Sequence, residues 1–288
     1  MNQPRLLLCT DMDRTVIPNG FQSEDALARK QFSTFCSQPQ VTLVYVTGRH
    51  ESLVKQAIKN YKLPVPDYAI TDVGTRIYRI EGPQWQELLS WDEEIEKDWN
   101  GKNHDQLKAL FSDISDLRPQ ELNKQNTHKL SYYVSLHLKQ EGILSLMSQR
   151  LETIGVQASL VWSVDEPKGI GLLDVLPRNA TKLHAIDYLY RHLEYSLDEV
   201  MFAGDSGNDL PVLASSIQSV LVANAVNDIK EDALRLAKSQ KNSQSLYLAT
   251  GNNTGANGNY SSGVLEGVCH FFPGFRTLIK QSGFNYES

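Results

Sequence analysis

Short apolar runs alternate along this chain with longer stretches in which apolar residues recur every three or four positions. The runs Arg5–Thr10, Val41–Val46, Tyr68–Ile70, Val200–Ala203 and Ser219–Val222 are rich in Val, Leu, Ile and Phe. None alternates strictly between apolar and polar, so each predicts a strand covered on both faces. Between them, Ser23 is placed to cap a helix carrying Ala26, Leu27, Phe32 and Phe35, and a helix from Glu51 puts Leu53, Val54, Ala57 and Ile58 on one face. Leu183, Ile186, Leu189 and Leu193 repeat that spacing later. Strand–helix alternation of this kind predicts an α/β fold, a parallel sheet with helices wound over it.

The middle of the chain follows another order. Gly82-Pro83 opens a segment with Trp85, Trp91, Trp99 and many acidic residues, followed by a helix-like stretch around Asp105–Ile114. Strand-like Lys129–His137, a helix around Gly142–Ile154 and strand-like Val156–Ser163 come next. These strands read as half exposed, an α+β pattern. The division expected is an inserted second domain over 83–171, with 1–82 and 172–288 forming the parallel-sheet core. Thr250–Gly263 is a loop by composition.

Composition narrows the partners. The chain has 288 residues, with 28 basic against 34 acidic side chains, a net charge of −6. That balance argues against a general nucleic-acid binder, which carries a basic excess or stripe. No apolar run approaches the length of a membrane span. Leu6–Leu8 are followed almost at once by Asp11 and Asp13, where a signal peptide would stay apolar. Cys9, Cys36 and Cys269 are widely spaced with no CxxC, and read as buried thiols of a reducing compartment. A soluble, cytoplasmic protein is expected.

Ligands of an open parallel sheet bind outside the carboxyl ends of its strands, so the informative residues are those that follow each apolar run. After the first come Asp11-Met12-Asp13-Arg14-Thr15; after the second, Thr47-Gly48-Arg49; after Val200–Ala203, Gly204-Asp205-Ser206-Gly207-Asn208-Asp209. Carboxylates, a hydroxyl and glycines therefore converge on one rim. Four neighbouring carboxylates repel at neutral pH and call for a cation among them. Oxygen ligands without a His or Cys cluster favour a hard ion, Mg²⁺ rather than zinc. Taken alone, Asp11 and Asp13 fit a strand-end turn equally well. Lys182 opens the Leu183–Leu193 helix, where a positive charge opposes the helix dipole unless an anion is bound there, and phosphate is the obvious one.

DMDRT, the strand-end Thr47, Lys182 and GDSGND resemble, in order, the four signature motifs of the haloacid dehalogenase superfamily. More narrowly, PDYAITDVGTRIY (66–78), KQNTHKLSYY (124–133), LDVLP followed by Lys182, and SGVLEGVCHF (262–271) are similar to sucrose-phosphate phosphatases and their relatives. The resemblance implies a Rossmann-like parallel-sheet core with an inserted α+β cap that sets specificity. It implies that Asp11 is a nucleophile forming an aspartyl phosphate and Asp13 the acid–base partner. Thr47, Gly48, Lys182 and Asn208 would bind phosphate, and Asp11, Asp13 (through its backbone carbonyl), Asp205 and Asp209 would hold or support Mg²⁺. The acid at position 13 fits a phosphatase or a phosphomutase. Arg14 departs from the family, where Gly or Asn is usual.

Asn126, His128 and Lys129 match the stretch of the family's cap that contacts sugar hydroxyls, and Lys168, in the loop before the return to the core, is a further candidate, whereas Trp162, Tyr132 and Tyr133 read as cap core. The function implied is a Mg²⁺-dependent phosphatase of a disaccharide monophosphate, foremost sucrose 6-phosphate. The Asn257-Gly258-Asn259-Tyr260 stretch keeps mannosylfructose phosphate as an alternative. A phosphosugar mutase and a non-catalytic partner of a sugar-phosphate synthase are further alternatives, and association with such a synthase is a possible partnership.

Overall fold

The computed structural model describes residues 4–137, 139–165, 168–252 and 255–286. Its strands are β1 (Leu6–Thr10), β2 (Val41–Val46), β3 (Tyr68–Thr71), β4 (Arg76–Glu81), β5 (Gln84–Glu87), β6 (Arg118–Pro119), β7 (Leu130–Val134), β8 (Ala158–Asp165), β9 (Ile170–Pro177), β10 (Val200–Gly204), β11 (Gln218–Leu221) and β12 (Leu246–Leu248). The helices are α1 (Ala28–Cys36), α2 (Glu51–Tyr61), α3 (Leu89–Glu96), α4 (His104–Leu110), α5 (Gln140–Thr153), α6 (Lys182–His192), α7 (Leu210–Leu213), α8 (Asn227–Ser239), α9 (Tyr260–Phe271) and α10 (Arg276–Gln281).

Among the described residues one sheet runs β12-β11-β10-β1-β2-β3-β4-β5 and a second runs β6-β7-β9-β8. From β12 to β3 the large sheet is parallel; β4 and β5 extend it antiparallel. The unbroken apolar runs follow from this burial. Leu6 and Leu8 enter one core cluster with α1, α2 and α9, while Leu7 and Cys9 enter the opposite one with α6 and α7. A strand that faces a core on both sides has few positions to spare for a polar residue. The chain leaves β1 for β2 on one side and later returns to β10 on the other, so the topological switch lies between the carboxyl ends of β1 and β10.

The second sheet is wholly antiparallel and carries α4 and α5 against one face, with Trp99, Leu107, Phe111, Tyr132, Met147 and Leu173 in its core. Trp162 packs against that cluster. The sheets divide the chain elsewhere than at 82/83 and 171/172. β5 belongs to the large sheet, and α3 sends Trp91 and Ile95 into the core beside α6. β9 belongs to the second sheet up to Pro177. Gly82-Pro83 is therefore the turn of a hairpin and not a boundary.

Other departures are local. β7 is fully buried rather than half exposed, because residues 118–125 cover it: β6 pairs along its edge, Gln125 bonds the Ser131 backbone, and Tyr133 donates its hydroxyl to Glu121 at 2.7 Å. α1 starts at Ala28, not near Ser23. Within Thr250–Gly263, Tyr260–Gly263 is the buried first turn of α9, and Asn253 and Thr254 lie outside the described residues. All three cysteines are free and buried, and burial pushes the Cys9 thiol up. No helix among the described residues is long and apolar enough to cross a membrane.

Candidate active site

Parallel pairing of β1 with β10 sets their carboxyl ends side by side. Asp11 continues β1 by donating its N–H to Ala203 O at 2.8 Å, and Asp205 follows β10. Thr47, after β2, donates its N–H to Ile70 O of β3 at 2.9 Å. Lys182 arrives from the first turn of α6, whose N-cap Thr181 accepts the His184 N–H. The four motifs that are widely separated in the chain thus meet at the switch point.

Lys182 is 3% exposed and donates to Asp11 Oδ1 at 2.6 Å and to Asp209 Oδ1 at 2.8 Å. Asp209 is fully buried, and its other oxygen accepts the N–H groups of Asp205 (3.0 Å) and Ser206 (3.1 Å). Oδ2 thus holds the Gly204–Asp209 turn together while Oδ1 takes Lys182. Gly204 is required there: a Cβ would lie 2.6 Å from the Asp209 carboxyl carbon. Burial pushes the Asp11 carboxyl upward, with Lys182 opposing and Asp209 adding to the rise. Asp205 is pushed up to about 6 by burial and by Asp209, against the pull of Arg14 and Lys182.

Asp13 points elsewhere. Arg49 grips its carboxylate through two bonds, at 2.7 and 2.6 Å, and Asn19 donates to it at 2.8 Å. Burial would raise this carboxyl, but the Arg49 fork and Asn19 outweigh it and hold the group below its ordinary value. The Thr47 hydroxyl accepts the Arg49 N–H at 3.2 Å, which closes a turn around Gly48. Asn208 is exposed on the opposite wall and accepts from the Ser206 hydroxyl at 2.8 Å.

A cavity of about 330 Å³ opens over these groups, lined by Asp11, Asp13, Arg14, Thr47, Gly48, Arg49, Leu53, Asp205, Ser206 and Asn208. A larger one, about 490 Å³, lies between α3 and α6 and reaches none of them. Charge and donor geometry, not volume, identify the site.

Ligand atoms of Asp11, Asp205 and Asp209 lie within 4.8 Å of one another. Asp205 Oδ2 is buried without a hydrogen-bond donor, 3.3 Å from the Arg14 guanidinium. An orphaned carboxylate oxygen among converging carboxylates fits a hard divalent cation. Asp13 could join only through its backbone carbonyl, since its carboxylate belongs to Arg49. Repulsion alone does not demand the ion, because Lys182, Arg49 and Arg14 already answer most of the negative charge.

The cap residues divide. Asn126 and Lys129 stand at the core-facing end of β7: Asn126 Nδ2 donates to Thr75 Oγ1 at 2.9 Å, and Lys129 Nζ lies 3.9 Å from Asp72. His128 is 5% exposed, with its ring 5.5 Å from Trp99 and Nδ1 3.7 Å from Asp92, so it packs and does not face a ligand. Lys168 is not brought to the site. It pairs with Asp165 at the β8–β9 turn, beside the Val134 end of β7, a full strand length from Lys129.

Arg14 has φ of 60°, the left-handed conformation that explains the usual Gly or Asn. Arg49, Asn19 and Asp72 received no role from the sequence. The strand-end rule applied to β3 and β11 as well would have returned Asp72 and Asn224, and Asn224 donates to Arg14 O at 2.6 Å.

A sequence profile for sucrose-6F-phosphate phosphohydrolase matches residues 4–272. A HAD-like hydrolase of Nitrosococcus oceani, whose name specifies no substrate, is 50% identical over 96% of this chain and 74% of its own length. Sucrose-phosphatase 1 of Nicotiana tabacum is 26% identical over 93% of this chain, which spans 59% of the tobacco protein. The solved sucrose-phosphatase of Synechocystis sp. PCC6803, in complex with sucrose and phosphate, superposes with a TM-score of 0.69 at 25% identity, covering 93% of this chain and 98% of that one.

Proposed function

Because the chain belongs to the sucrose-6F-phosphate phosphohydrolase family of haloacid dehalogenase-like enzymes, we propose that it is a phosphatase that hydrolyses a disaccharide monophosphate, sucrose 6-phosphate foremost. The observation that carries this reading is the placement of Asp11: buried at the switch point, one oxygen held by Lys182, with a second carboxylate two residues on. Lys182 fixes Oδ1 and leaves Oδ2 to attack phosphorus in line, giving an aspartyl phosphate. The Thr47 hydroxyl, the Gly48 amide and Lys182 receive the phosphoryl oxygens and oppose their charge. Mg²⁺, held by Asp11, Asp205 and the Asp13 carbonyl with Asp209 in support, would neutralise phosphate charge and lessen its repulsion of Asp11.

Asp13 gives a proton to the leaving sugar oxygen and later takes one from water. In the free enzyme Arg49 holds Asp13 ionised, so Asp13 has to exchange that partner and take up a proton from solvent before it can act as an acid. An arriving phosphate dianion competes for the same guanidinium. The sugar would lie toward Asn126 and Lys129. The Asn257 and Asn259 side chains each donate to Ser23 O at 3.0 Å, which spends the amides that favoured mannosylfructose phosphate. A synthase that delivers the sugar phosphate would be sought by co-purification.

The test is phosphate release with Mg²⁺ from sucrose 6-phosphate, mannosylfructose phosphate, glucose 6-phosphate and fructose 6-phosphate, with Asp11→Asn as the blank. A large kcat/KM preference for sucrose 6-phosphate, lost in the variant, is expected. Isomerisation of a sugar phosphate without net phosphate release would replace this reading with a mutase.

A further inference from the structure

Next to the phosphoryl cradle lies a stretch the mechanism does not use. Asp72, Val73 and Gly74 have φ of 51°, 64° and 100°, three successive residues in the left-handed region. A β-branched residue is rarely found there, and a non-glycine residue is strained in it. Such a conformation persists only where the surroundings over-determine it.

Here the surroundings come from three directions. Asp72 N–H donates to Arg49 O at 3.0 Å and Val73 N–H to Thr47 O at 3.3 Å, which ties the loop to the cradle. Gly74 lies against the start of α6, where a Cβ would meet the Thr181 carbonyl carbon at 2.6 Å and Lys182 N at 3.1 Å. On the far side, the Thr75 hydroxyl donates to Asp72 O at 3.0 Å and accepts from Asn126 at 2.9 Å. The Asp72 carboxylate is 5% exposed and takes a bond from Thr71 Oγ1 at 3.1 Å; its other oxygen faces Lys129. Lys129 is 9% exposed and stands between Asp72 (3.9 Å) and Asp174 (3.8 Å).

We propose that Asp72–Thr75 couples the seating of the leaving group against the second sheet to the phosphoryl cradle, with Asp72 as a positioning residue. The proposal rests on the reading above, in which the second sheet recognises the sugar. A sugar that engages the turn 126–129 holds that turn in place. The turn is tied to Asp72 and Thr75, and within that loop Asp72 holds Arg49, Val73 holds Thr47 and Gly74 lies against the first residue of α6. Binding energy gained far from phosphorus is thereby expressed at phosphorus. A small aryl phosphate fills the cradle alone and gains nothing from the link.

Asp72→Asn tests this with little disturbance. Asn keeps the Thr71 bond and tolerates positive φ, but removes the charge facing Lys129. Expected is a fall of about tenfold in kcat/KM for sucrose 6-phosphate, within the range of side-chain couplings between sites, with kcat/KM for p-nitrophenyl phosphate lowered less than about threefold, because the Asp72 and Val73 N–H bonds still tie the cradle. Thr75→Val, which removes the hydroxyl relay, gives the same split. Amide hydrogen exchange in Asp72→Asn accelerates together at residues 47–49 and 126–131, with β1 and β10 unchanged. Equal losses on both substrates, no loss on either, or faster exchange on one side only would overturn the coupling. If the unmodified enzyme shows no preference for sucrose 6-phosphate over p-nitrophenyl phosphate, the functional reading fails by itself, and the exchange measurement, which needs no substrate, decides the coupling.

Discussion

Replacing Lys182 with Met removes one buried cation from between two buried carboxylates and keeps a side chain of similar length. At 2.6 and 2.8 Å each contact carries about 6 kcal/mol at an effective dielectric near 20. Desolvation of the three charges cancels most of this, so the net loss on breaking the network is about 3–5 kcal/mol. The loss depends on pH in a definite direction. Asp11 and Asp205 both titrate above their ordinary value in the fold, so they favour it most below about pH 4 and progressively less as pH rises through their folded values. Without Lys182, which opposes the rise at both, the variant loses more as pH increases. Urea unfolding of both proteins without divalent cations, at pH 8 and pH 5.5, should show the larger difference at pH 8. Millimolar Mg²⁺ should narrow it by restoring positive charge beside Asp11 and Asp205, while activity stays lost. A difference below about 1 kcal/mol that does not change with pH would refute the account of Lys182 as the buried counter-charge.

Three further outcomes are expected. Arg49→Leu frees Asp13 from the fork that holds its carboxyl down, so the limb of the activity profile governed by Asp13 moves to higher pH; an unmoved limb in kcat/KM against pH would show that Arg49 does not control this group. Arg14→Gly relieves a left-handed residue and leaves stability within about 1 kcal/mol, but it removes the cation 3.3 Å from Asp205, so the Mg²⁺ concentration giving half-maximal activity falls several-fold. Glu266 is fully buried and accepts from Tyr247 Oη, Thr250 N and Gly251 N at 2.7, 3.2 and 2.9 Å. Glu266→Gln turns one acceptor into a donor facing an N–H, costs about 1–3 kcal/mol, and exposes the loop before α9 to limited proteolysis.

The five apolar runs were legible as strands because burial on both faces leaves them few polar positions, filled by small hydroxyl residues such as Thr10 and Ser219. β4 and β5 escaped this reading: β4, paired between β3 and β5, mixes Arg and Glu with its buried Ile and Tyr, and the edge strand β5 is mostly exposed. The exposure expected of the second sheet also failed at β7, because its cover comes from residues 118–125, whose folding no local pattern announces. Asn257 and Asn259 look free to reach a sugar in the sequence, but both are committed to Ser23, 234 and 236 positions away.

Taken alone, the sequence determined which residue types stand at which strand ends: two carboxylates after β1, a hydroxyl and glycine after β2, a carboxylate-rich turn after β10, and a lysine opening α6. That much is local, because strand burial and strand termination are written in the neighbouring residues. Only the tertiary structure decided which of these groups touch. It gave Asp13 to Arg49 and Asp11 to Lys182, left one oxygen of Asp205 without a donor, and sent Lys168 to the far end of a strand. Partners across 36 to 171 positions are chosen by sheet order and by the antiparallel return of β9, and no residue's own neighbours carry that information.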